Sequence, residues 1–576
     1  MNMVQIVLNG KEVSVPSGIS ILEAARGQGT FIPTLCHHPD QRVKANCRVC
    51  LVEVAGIKNL VASCSTQVAA GMNIATNSPR VRETVRTVLE LIFADHPQEC
   101  LTCIRNGNCE LRQLAARFGI SDIQGEKIHN NLPLDTSTPA LVRNPNKCVK
   151  CGRCAEVCHS TQEVGILYSQ NRSIDVCLAP EYGKRLAETA CVLCGQCALA
   201  CPVGAIHEKD DTDKVWEALH DPQKHVIVQV APAIRVSIAE EFAQPAGDLA
   251  TGKLVAALRE LGFQRVFDTD FSADLTIMEE GHELLDRIQN GGVLPMITSC
   301  CPGWINYIEH YYPELLPHLS SCKSPQQMFG ALAKTYYAQI TGIPSGDIFL
   351  VSIMPCIAKK FEAARPEMRS GTFPDVDAVL TTRELGRMLR HQGIDFNMLP
   401  DGEFDAPLGI STGAAAIFGT TGGVMEAALR TVYEVVTGQT LKKLEFSEIR
   451  GLDGIKGALV DLAGQKINVA VAHGLGNAKQ ILEKIKQGKC DATFIEIMAC
   501  PGGCIGGAGQ PYNNTAGQVR QDRMRALYGL DQGMPLRKSH ENPAVVQLYR
   551  EFLDKPLGER SHHLLHTTYL DRRHCQ

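Results

Sequence analysis

Cys148, Cys151, Cys154 and Cys158 stand at the spacing C-x2-C-x2-C-x3-C. Cys191, Cys194, Cys197 and Cys201 repeat it, with Pro202 directly after. Nothing else in the chain constrains its fold so strongly. Thiolates at this spacing close around an iron–sulfur cubane, and the fourth cysteine of each run ligates the other run's cluster. The expected sets are therefore Cys148, Cys151, Cys154 with Cys201, and Cys191, Cys194, Cys197 with Cys158. Zinc sites use cysteines too, but they compete poorly for a paired repeat of this kind. The chain between the runs must fold back on itself to exchange ligands.

The repeat resembles the two-cluster bacterial ferredoxins. His159 stands where proline is usual after the first run. The other cysteines follow the same logic. Of 24, sixteen lie between residues 36 and 201, none between 202 and 299, and eight from 300 onward. No basic and apolar leader is visible in MNMVQIVLNGKEVSV, no twin-arginine signal precedes the first domain, and no window offers 18 consecutive apolar residues, so the expected location is cytoplasmic, away from any membrane. Thiols in a reducing compartment point to metal or redox chemistry rather than disulfides. A net charge of -5 argues against nucleic acid as a partner.

The first group is Cys36, Cys47, Cys50 and Cys64. Before it, VQIVLNGKEVSV alternates apolar and polar residues around Asn-Gly, a hairpin signal. ISILEAARGQG reads as a short helix. Together they predict a β-grasp, ferredoxin-like domain holding a 2Fe–2S cluster. A zinc site also takes four cysteines, and the fold cues favour the cluster. In the second group, VRETVRTVLELIFA has a helical apolar face leading to His96, Cys100, Cys103 and Cys109. Three cysteines fall one short of a cubane's needs, and His96 is the expected fourth ligand.

From about residue 210 strands and helices alternate. HVIVQVAPAIRVSIAEEF, FLVSIMPCIAKKFEA and INVAVAHGLGNAKQILEKI each read as a buried strand followed by a helix. This is α/β architecture with parallel strands, whose functional residues sit at strand carboxyl ends. Three motifs carry thiols: TSCCPGW (298–304), MPCIAKKFE (354–362) and EIMACPGGCIGGAGQP (496–511). They offer Cys300, Cys301, Cys356, Cys500 and Cys504. A 4Fe–4S cluster needs four, so one is spare, and the adjacent pair is the natural place for it. The glycines beside Cys500 and Cys504 are expected to let backbone approach a bulky cofactor.

These three motifs resemble the signature segments of the FeFe hydrogenases. The N-terminal arrangement is similar to the long clostridial type, and also to the large subunit of respiratory complex I, which docks on a flavin subunit. The likeness covers almost the whole chain, including GTTGGVMEAALR and RKSHEN. Ala508 departs from it, where many relatives keep a third glycine. The resemblance implies that Cys301, Cys356, Cys500 and Cys504 ligate the 4Fe–4S part of an H-cluster. Cys504 would bridge to a diiron unit bearing CO, cyanide and an amine-containing dithiolate. Cys300 would be the thiol that passes a proton to that amine. A metal-bound thiolate has no proton to relay, whereas a free thiol of pKa about 8.5 does.

Glu280 and Glu283 lie three apart on the helix TIMEEGHELLDRI. Read alone they are a solvated acidic face; the resemblance instead makes them, with Ser320, the proton relay. It likewise makes Lys359 the cyanide-binding residue, with Pro232, Gln326, Met354 and Met498 lining the pocket, although methionines often only fill a core. Cys177, Cys322, Cys490 and Cys575 are read as structural or incidental.

The expected organisation is an α/β multidomain chain. It comprises a 2Fe–2S β-grasp domain (1–79), a His/Cys3 4Fe–4S domain (80–119), a two-cluster 4Fe–4S domain (138–209) and an H-cluster catalytic domain (210–576). The expected activity is reversible H2 oxidation, with electrons relayed through one 2Fe–2S and three accessory 4Fe–4S clusters to ferredoxin. The alternative is the catalytic subunit of an NAD(P)-linked or electron-bifurcating complex. The sequence carries no flavin or dinucleotide motif, so that alternative places nucleotide and flavin sites on other subunits.

Overall fold

The structure, a computed structural model, describes residues 2–121, 132–462, 465–512 and 516–573. Cys575 lies outside the described residues. At the N-terminus, strands Met3–Leu8 and Lys11–Pro16 pair antiparallel through Asn9 and Gly10, both at positive φ (51° and 82°) as a tight hairpin turn requires. Met3–Leu8 also pairs parallel with Asn73–Ala75, within a five-stranded sheet. Helix Ile21–Gly27 starts at a reciprocal Ser20–Glu23 cap and buries Ile21, Leu22, Ala24 and Ala25. This is the expected grasp of a sheet around one helix. Helix Pro79–Ala94 follows, capped by Ser78, with Val81, Val85, Leu89 and Phe93 buried at four-residue spacing.

The doubled cysteine run has little regular structure. Strands Leu141–Arg143 and Ile206–Glu208 pair antiparallel and tie its ends together. The short helices Arg153–Glu156 and Gln196–Ala200 each begin at a left-handed glycine, Gly152 and Gly195. Gly195 has a second reason to lack a side chain. A Cβ there would lie 2.7 Å from the Cβ of Ala508 and 2.8 Å from Cδ1 of Ile357. Ala508 is thus a packing contact between the cluster region and the C-terminal body. Gln162 Nε2 donates to the Ala499 carbonyl at 3.0 Å, and Gln196 Nε2 to that of Gly506 at 3.1 Å.

The C-terminal body holds two four-stranded sheets. The first is wholly parallel, in the order Arg265–Asp268, His225–Val230, Ile348–Met354, Ala378–Thr381. The second runs Met296–Ile297, Phe494–Met498, Gln465–His473, Ile455–Leu462. Its last pair is antiparallel, which corrects the expectation of parallel strands throughout. A hairpin needs no crossover helix, so the edge strand reads no differently from its neighbours in sequence. The segment after His225–Val230 also differs from expectation. It forms two 3-10 pieces, Pro232–Ile234 and Ile238–Phe242, rather than an α-helix. Ser237 Oγ donates back to the Ala233 carbonyl at 2.9 Å, and Arg235 is drawn to Asp268 at 2.8 Å. The 22-residue helix Thr269–Asn290 runs between the sheets. No helix among the described residues is long and apolar enough to cross a membrane.

Candidate active site

The carboxyl ends of strands from both sheets converge on one cavity. Val230 leads to Pro232, Ile297 to Cys300 and Cys301, Met354 to Cys356, and Met498 to Cys500 and Cys504. All five thiols line this cavity, together with Pro232, Gln326, Met354, Lys359 and Met498. Both methionines are 3% exposed, so each fills the core and faces the cavity. Four sulfurs on apolar walls fit an iron–sulfur cubane, and the fifth is spare. Burial holds these thiols protonated in the protein alone, with Cys356 pushed up to about 12. Metal binding therefore releases protons.

The adjacent cysteines face different neighbourhoods. Cys301 is the extended residue (φ -100°, ψ 106°) that precedes helix Pro302–Tyr311, and successive side chains of extended backbone point to opposite sides. Cys301 Sγ accepts from the Ala499 amide at 3.3 Å and belongs to the hydrophobic cluster that takes in Ala499 and Cys194. Cys300 belongs instead to the cluster that takes in Ala273, Ile277 and Leu284 of helix Thr269–Asn290. Its thiol is held well above the ordinary value by burial, with Glu280 and Cys301 adding to the effect and Lys359 opposing it. It stays protonated at neutral pH, so the ordinary thiol value does not apply here.

Gly503 and Gly507 line the cavity. Each also packs closely against backbone: a Cβ on Gly503 (φ 87°) would lie 2.7 Å from the Thr421 amide nitrogen, and one on Gly507 would collide with the Pro355 carbonyl.

Lys359 is buried, and its Nζ donates to Ser324 Oγ (2.7 Å), Glu362 Oε2 (2.9 Å) and the Cys300 carbonyl (3.1 Å). Burial works against its charge, but Glu362 and the nearby thiols outweigh this and keep the ammonium above its ordinary value. Glu362 also accepts from Ser324 Oγ (2.8 Å) and Gln326 Nε2 (3.0 Å). The sequence analysis missed Glu362 and Ser324. Spacing i,i+3 on the helix Ala358–Ala363 was the available signal for Glu362.

Glu280 and Glu283 are buried, at 1% and 8% exposure, which overturns the solvated-face reading. Burial, then Glu283, pushes the Glu280 carboxyl up to about 8, with Ser320 and the Ser299 amide pulling the other way. Glu283 accepts from Ser320 Oγ (2.9 Å) and the Ser321 amide (3.1 Å), and pairs with Arg287 Nη2 at 2.6 Å. The Arg287 side chain is 14% exposed, so the acid row ends near solvent. Cys322 is also missed by sequence reasoning: its Sγ lies 3.8 Å from Glu283 Oε2.

The other thiols gather as sets. Cys36 contacts Cys47 and Cys50 contacts Cys64 through their thiols, and charge on Cys36 reaches Cys50 and Cys64. Cys201 lies near enough to Cys148, Cys151 and Cys154 to push their thiols up, after burial. Cys158 does the same to Cys191, Cys194 and Cys197. The thiols are thus grouped in the exchanged sets that the spacing predicts as ligands. The sets also adjoin one another, with Cys154 near Cys197 and Cys194 near both Cys356 and Cys500. In the remaining set, Cys103 lies near Cys109 and Cys100 opens the 3-10 turn Cys100–Thr102. His96 is buried just beyond helix Pro79–Ala94.

Comparison with known proteins agrees with this geometry. Residues 224–508 match the iron only hydrogenase large subunit, C-terminal domain, and 517–572 the iron hydrogenase small subunit. Residues 1–79 match a 2Fe-2S iron-sulfur cluster binding domain, 86–124 the NADH-ubiquinone oxidoreductase-G iron-sulfur binding region, and 186–207 a 4Fe-4S binding domain. The chain is 50% identical to the NADP-reducing hydrogenase subunit HndD of Solidesulfovibrio fructosivorans, over 99% of this chain and 100% of that one. It is 42% identical to iron hydrogenase 1 of Clostridium pasteurianum, over 98% and 100%. The chain belongs to the iron-only hydrogenases. A solved structure of FeFe-hydrogenase HydA1 from Chlamydomonas reinhardtii superposes with a TM-score of 0.57 at 45% identity, covering 63% of this hydrogenase and 99% of that chain. The protein is therefore an oxidoreductase acting on H2, with N-terminal iron–sulfur domains and an H-cluster domain.

Proposed function

We propose that this hydrogenase catalyses H2 ⇌ 2 H+ + 2 e− with a division of labour between Cys300 and Cys301. Cys301, Cys356, Cys500 and Cys504 would hold the H-cluster, whose diiron unit carries CO, cyanide and azadithiolate ligands. When bound, that group supplies the redox centre at which H2 is split. Lys359, fixed by Glu362 and Ser324, presents a cation to a cyanide, while Pro232, Gln326, Met354 and Met498 shape an apolar seat and exclude water.

Cys300 holds a proton at Sγ and exchanges it with Glu280. Ser320 Oγ, which donates to Glu283, would carry the proton between Glu280 and Glu283, and Glu283 would hand it to solvent beside Arg287. The observation that carries this reading is the partition of the adjacent thiols between two clusters, Cys301 in the one that takes in Cys194 and Cys300 in the one that takes in the acid-bearing helix, with Glu280 near it. Electrons would leave through the neighbouring set of Cys158, Cys191, Cys194 and Cys197, then through Cys148, Cys151, Cys154 and Cys201. The His96, Cys100, Cys103, Cys109 cubane and the 2Fe–2S cluster of Cys36, Cys47, Cys50 and Cys64 complete the four accessory centres. Leu101, between two of those ligands, is 86% exposed, which supports this rim as an exit.

The electron partner is ferredoxin in the simplest reading, in the cytoplasm. The likeness to HndD, named as a subunit of an NADP-reducing hydrogenase, favours a second: catalysis within a complex whose other subunits bind flavin and NAD(P). Gentle anaerobic purification distinguishes them. A co-purifying flavoprotein supports the complex, and a lone chain reduced by ferredoxin supports the simpler reading. The division of labour is tested by Cys300→Ser, which should retain the metal group and lose turnover.

A further inference from the structure

One cluster of metal-capable side chains lies beside the acid row and has no part in the reading above beyond Glu283. A carboxylate oxygen of Glu283, the sulfur of Cys322 and a ring nitrogen of His566 lie within 4.8 Å of one another, all buried. Zinc–sulfur bonds of about 2.3 Å and zinc–nitrogen or –oxygen bonds of about 2.0 Å place tetrahedral donors roughly 3.3–3.6 Å apart. Cys322 Sγ and Glu283 Oε2, at 3.8 Å, are already near that spacing.

The backbone explains why these residues meet. Cys322 and His566 oppose each other in an antiparallel bridge. The Lys323 amide donates to the Leu565 carbonyl and the Thr567 amide to that of Ser321, both at 2.7 Å. That pattern makes Cys322 and His566 a non-hydrogen-bonded pair, the kind whose side chains stand closest. The histidine is also pre-oriented. Its Nδ1 meets Ser321 Oγ at 2.8 Å and its Nε2 meets Glu279 Oε2 at 3.1 Å. Whichever nitrogen turns to a cation, the other keeps a partner, as metal-ligating histidines usually do. Glu279, Glu280 and Glu283 all act on Cys322, so the site sits in negative potential.

A second such group, Glu434, His540 and Glu541, differs in a decisive way. Lys538 Nζ pairs with both of its carboxylates, 2.9 Å from Glu434 and 3.0 Å from Glu541, whereas Arg287 pairs with Glu283 through Oε1 and Cys322 faces the other oxygen, Oε2.

We propose that Glu283, Cys322 and His566 form a binding site for a borderline-soft divalent cation, Zn2+ being the best match to one sulfur, one nitrogen and one oxygen. Binding displaces the thiol proton of Cys322 to solvent. A bound cation also engages the Glu283 carboxylate and stops it from carrying protons. That consequence rests on the relay proposed above, whereas the site does not.

The test uses fully assembled holoenzyme and ZnCl2, with two readouts. Zinc-edge X-ray absorption reports the ligands, and H2-driven viologen reduction reports turnover. The expected result is one zinc bearing a single sulfur at about 2.3 Å, absent in Cys322→Ala. Half-inhibiting Zn2+ should rise at least about tenfold in Cys322→Ala and His566→Gln, because even second partners of ligands are worth that much affinity. Uninhibited rates of both variants should stay near wild type. Zinc with no sulfur, or with sulfurs that Cys322→Ala leaves unchanged, overturns the site. Sulfur-bound zinc that Cys322→Ala removes, but that leaves turnover untouched, upholds the site and removes Glu283 from the proton route.

Discussion

The two sides of the catalytic cavity are built by different means. Toward Cys194 the wall is made of thiols delivered by strand ends, in short motifs with fixed spacing. Toward helix Thr269–Asn290 it is a pair of buried carboxyls, of which Glu283 is held by the Ser320 hydroxyl and the Ser321 amide of a distant loop. Metal ligation demands bond lengths and angles that a few neighbouring residues must satisfy together, so electron transfer leaves a signature in sequence. Proton transfer demands only that donors and acceptors meet, and any part of the chain can supply them. The first side should fail by losing metal, and the second by losing turnover with the metal in place.

The sharpest break in this contrast is Cys300→Ser. A hydroxyl is far less acidic than a thiol, so H2 turnover should fall by about 10^3–10^4, the upper range for a positioned acid or base. Steady-state H2 evolution checks it. Glu280→Gln should cost somewhat less, about 10^2–10^3. Glu280 is neutral below about 8 and ionised above it. Proton delivery through it therefore weakens as pH rises through that value, and the Gln variant should lack that limb of the pH–rate profile. Glu283→Gln, nearer solvent where water can substitute, should lose about 10^2. A loss as large as that of Cys300→Ser would show that no bypass exists.

The smallest effect lies farthest away, on the electron side. Cys64→Ala should abolish the electron paramagnetic resonance signal of the reduced 2Fe–2S centre. Viologen-linked activity should stay within about twofold, because a small mediator can take electrons from inner clusters, while activity with ferredoxin falls. A large loss with viologen would mean that the N-terminal domain supports the catalytic body rather than merely wiring it.

Legibility followed the same division. Hairpin Met3–Pro16, the capped helix Ile21–Gly27 and the strands ending at Val230, Met354 and His473 could be read from periodicity and turn chemistry. The antiparallel edge strand Ile455–Leu462 could not, because strand direction leaves no local mark. The helix expected after Pro232 is instead two 3-10 pieces, which apolar periodicity alone does not distinguish from an α-helix. Every thiol facing the cavity was visible, yet Glu362 and Ser324, which hold Lys359, were not. His566 reaches Glu279 across 287 residues, a contact that no spacing rule encodes.

The most direct test of the central claim is the infrared spectrum of anaerobically matured Cys300→Ser, recorded beside wild type. If Cys300 carries protons and Cys301 carries metal, both proteins will show metal-bound CO and cyanide bands of similar intensity, and only the wild type will turn over H2. Loss of those bands from the variant would make Cys300 a ligand. Intact bands with undiminished turnover would take it out of the proton path.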